Sequence, residues 1–514
     1  MPIETINKTR IAKNTALLYF RMLLIMLINL YIMRVLLNVL GVVDYGVFNV
    51  VAGVVAMFAF LSGTMATASQ RFFAVELGVE NHVKLKQLFS INVLIFIGIA
   101  LVICFLSETL GLWYFNVKMN IPEERFVAAA WVYQFSILTF MVSIMTTPYL
   151  AIITAREEMK AYAYISILEV LFKLGIVFLL IYIPIDKLQL YGILLFVVQI
   201  LISASYFLYS TLKFPECKLK YYWDKNMFKD VFGFAGWSVI GALAMTIRSQ
   251  GINQLLNLFF DVVVNAARAI AFQVYNALNM FVLNFFTAIR PQIIKSYSVD
   301  NEDKSGELMK LVFQSSKFCY YLILVISIPI LIETRSILEI WLKIVPEHTV
   351  VFTRLVIINA IIESLANPFI ASIQATGRIK RYQIVTGSII LLNLPISYLF
   401  LKMGFVPEST MMVVIFITFI AHIVRMYFMN NMLKMNILNY FEQVILPILS
   451  VTVLAFALPL LYYYSFHPSF WRIVGVTAVT LLSSVTIIYF VGLTKSERTG
   501  LKRFVLSKLK RLND

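Results

Sequence analysis

Runs of apolar residues close to the length of a membrane-spanning helix recur along the whole chain, and they constrain the fold more than any motif does. A helix rises about 1.5 Å per residue, so about 20 apolar residues cross the hydrocarbon core of a bilayer. Such runs lie at 15–37, 46–69, 87–109, 127–153, 162–183, 189–212, 234–259, 265–289, 312–333, 350–373, 383–402, 410–431, 443–464 and 471–492. Of 514 residues, 61% are hydrophobic and only 14% charged, too little charge to cover soluble cores. The expected fold is an all-α polytopic membrane protein of about 14 transmembrane helices.

The formal net charge of +16 would suggest nucleic acid in a soluble chain. With the N-terminus inside, however, Lys and Arg gather in the cytoplasmic segments, as the positive-inside rule requires. The charge therefore reports topology, no nucleic-acid partner is expected, and both termini are expected to be cytoplasmic. MPIETINKTRIAKN precedes the first span with no A-x-A-like cleavage site, which favours a retained helix over a signal peptide. Cys104, Cys217 and Cys319 are far apart, the four histidines are scattered, and neither HExxH nor GxxxxGK[ST] occurs. No metal or cofactor is expected. Uphill movement of a substrate would have to be driven by an ion gradient, the membrane potential or downstream consumption.

The longest hydrophilic interruption before the tail, KFPECKLKYYWDKNMFKDV, follows the sixth span. It suggests an N-terminal lobe at 1–212, an inter-lobe loop at 213–231, a C-terminal lobe at 232–431, two added helices within 432–492 and a basic tail at 493–514. Two six-helix lobes suit a transporter built from repeated halves around a central cavity. Residue identity supports the repeat weakly: Thr67-Ala68 aligns with Thr287-Ala288 and little else follows. In the tail, Leu501, Phe504, Val505, Leu509 and Leu512 share one helical face among basic residues. That pattern fits either a helix lying on anionic lipid or a tail that enforces topology.

Ionisable residues inside spans are costly and point to function or to compensation. In the fifth span Tyr162, Ser166, Glu169 and Lys173 share one face, and Glu169 and Lys173 stand at i,i+4. The pair either satisfies itself or faces a wet cavity with Lys173 available to an anion. Arg21 lies in the first span and Arg248 near the middle of the seventh, neither with an acid at i±3 or i±4. Arg21 can snorkel to the interface; Arg248 is too deep and is the stronger candidate. Gln250, Asn253, Gln254 and Asn257 line one face of the seventh span. Asn265, Asn276, Asn279 and Thr287 line the eighth, with Arg268 at the edge. Such amides either bind helices together or line a water-accessible surface. Asn359, Glu363 and Asn367 stand at i, i+4 and i+8 in the tenth span, a candidate proton or sodium site or a neutral hydrogen-bonded carboxyl. His422 and Arg425 are expected at the membrane interface. Cations outnumber acids in this set, so a central cavity would suit a phosphate or diphosphate anion. Exporting an anion from a negative interior gains about 2.3 kcal/mol per charge per 100 mV.

LLNVLGVVDYGVFNVV (36–51), SQRFFAVELG (69–78), AFQVYNALNMFVLNFFTAIRPQIIKSYS (271–298) and ILEIWLKIVPEHTVVFTRL (337–355) resemble segments of the Wzx-like polysaccharide-repeat-unit flippases. These belong to the multidrug/oligosaccharidyl-lipid/polysaccharide exporter superfamily. The resemblance implies two six-helix lobes around a V-shaped cavity, plus two helices. It also implies alternating-access transfer of undecaprenyl-diphosphate-linked oligosaccharide across a bacterial inner membrane, for O-antigen or another surface polysaccharide, with polysaccharide polymerase machinery as a candidate partner. Arg248, Lys173 and Arg21 are then the cations available to the diphosphate. Glu169 compensates Lys173, and Arg268, Asn253, Asn257, Asn276 and Asn279 could meet the substrate. Glu363, with Asn359 and Asn367, would couple an ion. A cation-coupled drug exporter of the same superfamily is the alternative, although it should prefer acids and aromatics in its cavity. A membrane-embedded glycan polymerase or ligase fits less well, because the outside segments at 107–126 and 334–349 are short, and Glu347 and His348 in the second do not by themselves make an active site.

Overall fold

In the computed structural model, which describes residues 8–218, 222–297 and 302–499, every regular element is a helix. The tail beyond 499, with its expected amphipathic face, lies outside the described residues. By internal packing the chain divides into two units: Met1–Ala269 with Leu342–His348 and Ile390–Thr410, and Ile270–Trp341 with Thr349–Ile389 and Met411–Asp514. The first unit holds α1 (Lys8–Ala56), α2 (Ala59–Gly78), α3 (His82–Leu106), α4 (Leu112–Lys118), α5 (Phe126–Ala155), α6 (Met159–Tyr182), α7 (Lys187–Lys213), α8 (Lys225–Thr246) and α9 (Ile252–Phe259). The chain continues through α10 (Val262–Tyr297), α11 (Glu302–Ile332), α12 (Thr334–Leu342), α13 (Thr349–Ser364), α14 (Ala366–Ala375) and α15 (Lys380–Leu391). It ends in α16 (Asn393–Lys402), α17 (Ser409–Leu433), α18 (Ile437–Tyr440), α19 (Leu446–Ser465) and α20 (Phe470–Ile487). Of the last group, α16 packs with the first unit.

Twelve helices among the described residues are long and apolar enough to cross a bilayer, so the chain is a multi-pass membrane protein. The second and seventh of the 14 apolar runs are not among these twelve. Gly41, at φ +80°, turns the chain inside α1 and makes two legs of one continuous apolar stretch. That extended, positive-φ backbone costs a residue with a Cβ about 1–3 kcal/mol, and glycine little. The expected second span falls on the second leg of α1 and on α2, interrupted at 57–58. The seventh falls on α8, a π-helical turn at Ile247–Gly251 and α9.

In the first unit, Val47, Val50, Val51 and Val54 of α1 bury against Ala129, Val132 and Tyr133 of α5. The Tyr133 ring stacks on Phe115, and its hydroxyl donates to the Ser107 carbonyl at 2.6 Å. Arg125, just before α5, donates to Asp44 at 2.6 Å and to Asp186 at 2.7 Å, tying α1, α5 and α7 together. Burial pushes the Asp186 carboxyl upward. The hydrogen bond from Arg125 and those from the Gln189 and Leu188 N–H groups outweigh it and hold the carboxyl below its ordinary value.

In the second unit, Phe369 and Tyr440 centre an aromatic cluster with the His422 ring. His422 and Arg425 are buried in the protein, because this face of α17 turns toward α14 and α18. Tyr440 OH lies 3.2 Å from His422 Nε2, and Arg425 Nε donates to Tyr382 OH at 3.3 Å. The two added helices are held by Arg472 of α20, which donates to Glu333 at 2.5 and 2.9 Å and lies over the Tyr463 ring. On their other faces, Val453, Leu461 and Leu482 stay exposed, as lipid-facing residues do.

Candidate functional site

Three polar groupings lie inside the helices, two in the first unit and one in the second. The first joins α6 to α1. Glu169 and Lys173 are ion-paired at 2.6 Å, with about a third of each side chain exposed. Their i,i+4 spacing on one helix fixes the pairing, so it follows from sequence alone. Arg21 does not run to the end of its helix: Nη1 donates to Ser166 Oγ at 3.2 Å, and the guanidinium lies 4.5 Å from the centre of the Tyr162 ring. The expected Tyr162–Ser166–Glu169–Lys173 stripe therefore meets Arg21, a convergence of residues 145 apart that no local pattern could reveal.

The second grouping surrounds the π-helical turn at Ile247–Gly251. A π turn adds a residue to the helix, re-aims its side chains, and is frequent at functional sites. Arg248 sits on this turn, half-buried. Arg268 of α10 is buried next to this turn: Nη2 donates to the Ser249 carbonyl at 2.9 Å. Sequence placed Arg268 at the edge of an amide face; the structure places it against the turn that carries Arg248.

The amides around these arginines are spent on packing. Asn253 donates to the Asn49 carbonyl at 3.2 Å and Gln254 to the Val50 carbonyl at 2.8 Å, so α9 is fastened to the second leg of α1. Asn257 and Asn120 exchange two bonds of 2.9 and 3.0 Å, and Asn265 donates to the Asn253 carbonyl at 2.7 Å. Asn253 and Asn257 are closed to solvent in this conformation. Gly46 allows the approach, since a Cβ there would collide with the Val262 carbonyl oxygen. Gly53, two turns further on, faces Gln250, Asn253 and Gln254. In α10, Asn276 is exposed and Asn279 half-buried.

The third grouping lies in the second unit. Glu363 of α13 accepts from Tyr275 OH at 2.9 Å and from Asn359 Nδ2 at 3.2 Å. Asn359 Oδ1 in turn accepts from Thr418 Oγ1 at 2.9 Å. The i,i+4 relation of Asn359 and Glu363 was legible; Tyr275 and Thr418, which come from α10 and α17, were not. Asn367 lies half-buried on α14, beyond a break at 365. Among the described residues no cluster of three or more His, Cys, Asp or Glu could hold a metal ion.

Residues 11–296 match the model of a family described as polysaccharide biosynthesis protein. No curated protein matches by sequence. Among solved structures, an inward-facing multidrug resistance MATE family transporter of the MOP superfamily aligns over 82% of this chain and 94% of its own, with TM-score 0.64 and 11% identity. The lipid II flippase MurJ, in an inward closed conformation, aligns over 93% and 98%, with TM-score 0.62 and 12% identity. The MATE multidrug transporter DinF-BH aligns over 84% and 98%, with TM-score 0.59 and 13% identity. At these identities the likeness is one of fold. The chain belongs to the polysaccharide biosynthesis protein family and has the all-helical fold of the MOP-superfamily transporters.

Proposed function

We propose that the protein is a flippase that carries undecaprenyl-diphosphate-linked oligosaccharide repeat units from the inner to the outer leaflet of a bacterial cytoplasmic membrane. Both termini are cytoplasmic in this reading, and the chain catalyses no covalent step. The observation that carries it is the placement of two arginines inside a membrane protein of a polysaccharide-biosynthesis family: Arg248 on the π turn, and Arg268 bonded at 2.9 Å to the carbonyl of Ser249, the next residue of that turn. A diphosphate can accept several charge-assisted hydrogen bonds from guanidinium groups placed on neighbouring turns in this way.

In this reading Arg248 and Arg268 hold the diphosphate, while Lys173, balanced by Glu169, and Arg21 support the substrate as it enters. Asn276 and Asn279 are assigned to sugar hydroxyls. Asn253 and Asn257 reach sugar only after their seam with α1 and Asn120 opens. Glu363, with Asn359 and Asn367, couples an ion. The lobes that move are 1–212 and 232–431, joined by the 213–231 loop, with 432–492 appended. The drug-exporter alternative draws on the fold alone, which it shares.

Depletion of the protein in cells, followed by extraction of lipid-linked sugars from each leaflet, tests the proposal. Complete repeat units accumulating in the cytoplasmic leaflet are the expected result. Unchanged lipid-linked sugars would favour the drug exporter, and units that reach the outer leaflet but stay unpolymerised would favour a polymerase. For coupling, Glu363→Gln is expected to remove the pH or sodium dependence of transport while leaving binding of the lipid-linked substrate in place.

A further inference from the structure

A cavity of about 490 Å³ opens in the second unit, apart from the groupings above. One wall is the Lys310, Gln314 and Lys317 face of α11. The facing wall comes from the α17–α18 junction and the start of the next span, with Lys434, Asn436 and Asn439. The segment after α20, with Thr494 and Glu497, closes the third side. Four candidate spans reach this point by their ends: one begins at Gly306, one ends at Leu433, one begins at Ile437 and one ends at Gly492. The cavity therefore sits where helices leave the hydrocarbon, at headgroup depth, on the face that the proposed topology makes cytoplasmic.

Its charge is unbalanced. Lys317 is buried and paired with Glu497 at 2.8 Å, and Glu497 also accepts from the Thr494 N–H at 2.8 Å. This pair braces the third wall and leaves nothing over. Lys310 and Lys434 are exposed at the rim and make no ion pair among the described residues. Lys434 is also held at φ +53°, a left-handed backbone that presents its side chain in a fixed direction from the end of α17. Amides complete the lining. On the same helices Leu438, Phe441 and Phe490 are exposed by 72%, 49% and 63%, apolar surface at the depth where acyl chains begin.

We infer that this cavity binds the phosphate headgroup of an anionic phospholipid, with Lys310 and Lys434 on the phosphate and Asn436 and Asn439 on the glycerol hydroxyls. Basic pockets between spans on the cytoplasmic side recognise anionic lipids in this way. The neighbouring apolar surface favours a lipid over a free phosphate ion. The bound lipid would bridge α11, the α17–α18 junction and the segment after α20, and so hold the two added helices in register.

The test uses the full-length protein in nanodiscs and in detergent, with dioleoylphosphatidylglycerol, dioleoylphosphatidylcholine and inorganic phosphate as probes. Phosphatidylglycerol should bind and raise Tm where phosphatidylcholine does not. Lys310→Gln with Lys434→Asn should weaken phosphatidylglycerol binding about tenfold or more, at about 1 kcal/mol per lysine. Asn suits the left-handed position, and an unchanged Tm in phosphatidylcholine shows that the double variant is folded. Lys495→Gln, exposed and not lining the cavity, should change binding by no more than about fivefold, well short of the double variant. An equal loss in Lys495→Gln would show diffuse surface charge and overturn the site. Inorganic phosphate raising Tm as much as the lipid does would overturn the lipid.

Discussion

The Glu169–Lys173 pair of α6 and the Arg248–Arg268 pair around the π turn both put charge inside membrane-spanning helices, yet they solve opposite problems. On α6 the charges are opposite, one turn apart on the same helix, and 2.6 Å from each other. Such a pair forms wherever the helix forms and cancels most of the cost of carrying either charge into the bilayer. The arginines carry the same sign, come from different helices, and meet only when the chain folds. The α6 pair can be read as compensation for insertion as well as substrate support, whereas the arginines, gathered by tertiary structure, are the residues the proposal places on the diphosphate.

The largest expected effect falls on the packing that gathers the arginines. Gly46→Val should cut folded protein severely, since overpacking costs about 1–3 kcal/mol or more and the obstacle is the Val262 backbone. Melting curves and membrane yield read it, and a valine variant as stable as the parent would break the account of the seam. Next, Arg248→Ala or Arg268→Ala should lower transport about 10- to 100-fold, from about 1.5–3 kcal/mol per charge-assisted bond lost, with Tm little reduced by comparison. On α6 a different pattern is expected. Lys173→Gln alone leaves Glu169 uncompensated and should reduce membrane insertion, while Glu169→Gln with Lys173→Gln should restore it. If the double variant were as defective as the single, Lys173 would belong with the arginines.

The smallest effect is a dependence on pH. Burial raises the Glu497 carboxyl, but the hydrogen bonds from Lys317 and the Thr494 N–H outweigh it and hold it below its ordinary value of about 4.3. A carboxyl so depressed adds stability above its unfolded pKa and loses it as pH falls through the folded one. Tm should therefore drop below about pH 4, and Glu497→Gln should flatten that limb. Asp186 adds to the same acid lability through Arg125.

The helical class, the spans and the α6 pair were legible in the sequence because each rests on local periodicity. The local turns within the helices were less so, since a positive-φ glycine and a π turn change direction without changing composition. Arg21 with Ser166, Arg268 with Arg248, and Glu363 with Tyr275 required tertiary structure. The amides of α9 show the limit most clearly. Their shared face was visible, but whether Asn253 meets a sugar or the Asn49 carbonyl depends on how closely α1 and α9 approach at Gly53, which faces Asn253. Arg472 and Glu333 lie at span ends, where charge is ordinary, and nothing local marks them as a buried pair.

Binding of a prenyl diphosphate to the purified full-length protein tests the central claim most directly, comparing the parent, Arg248→Ala, and Glu169→Gln with Lys173→Gln. The account predicts that Arg248→Ala weakens binding about tenfold or more while the neutralised α6 pair stays within about threefold of the parent. Binding that survives Arg248→Ala and fails in the neutralised pair would contradict it and move the diphosphate to α6.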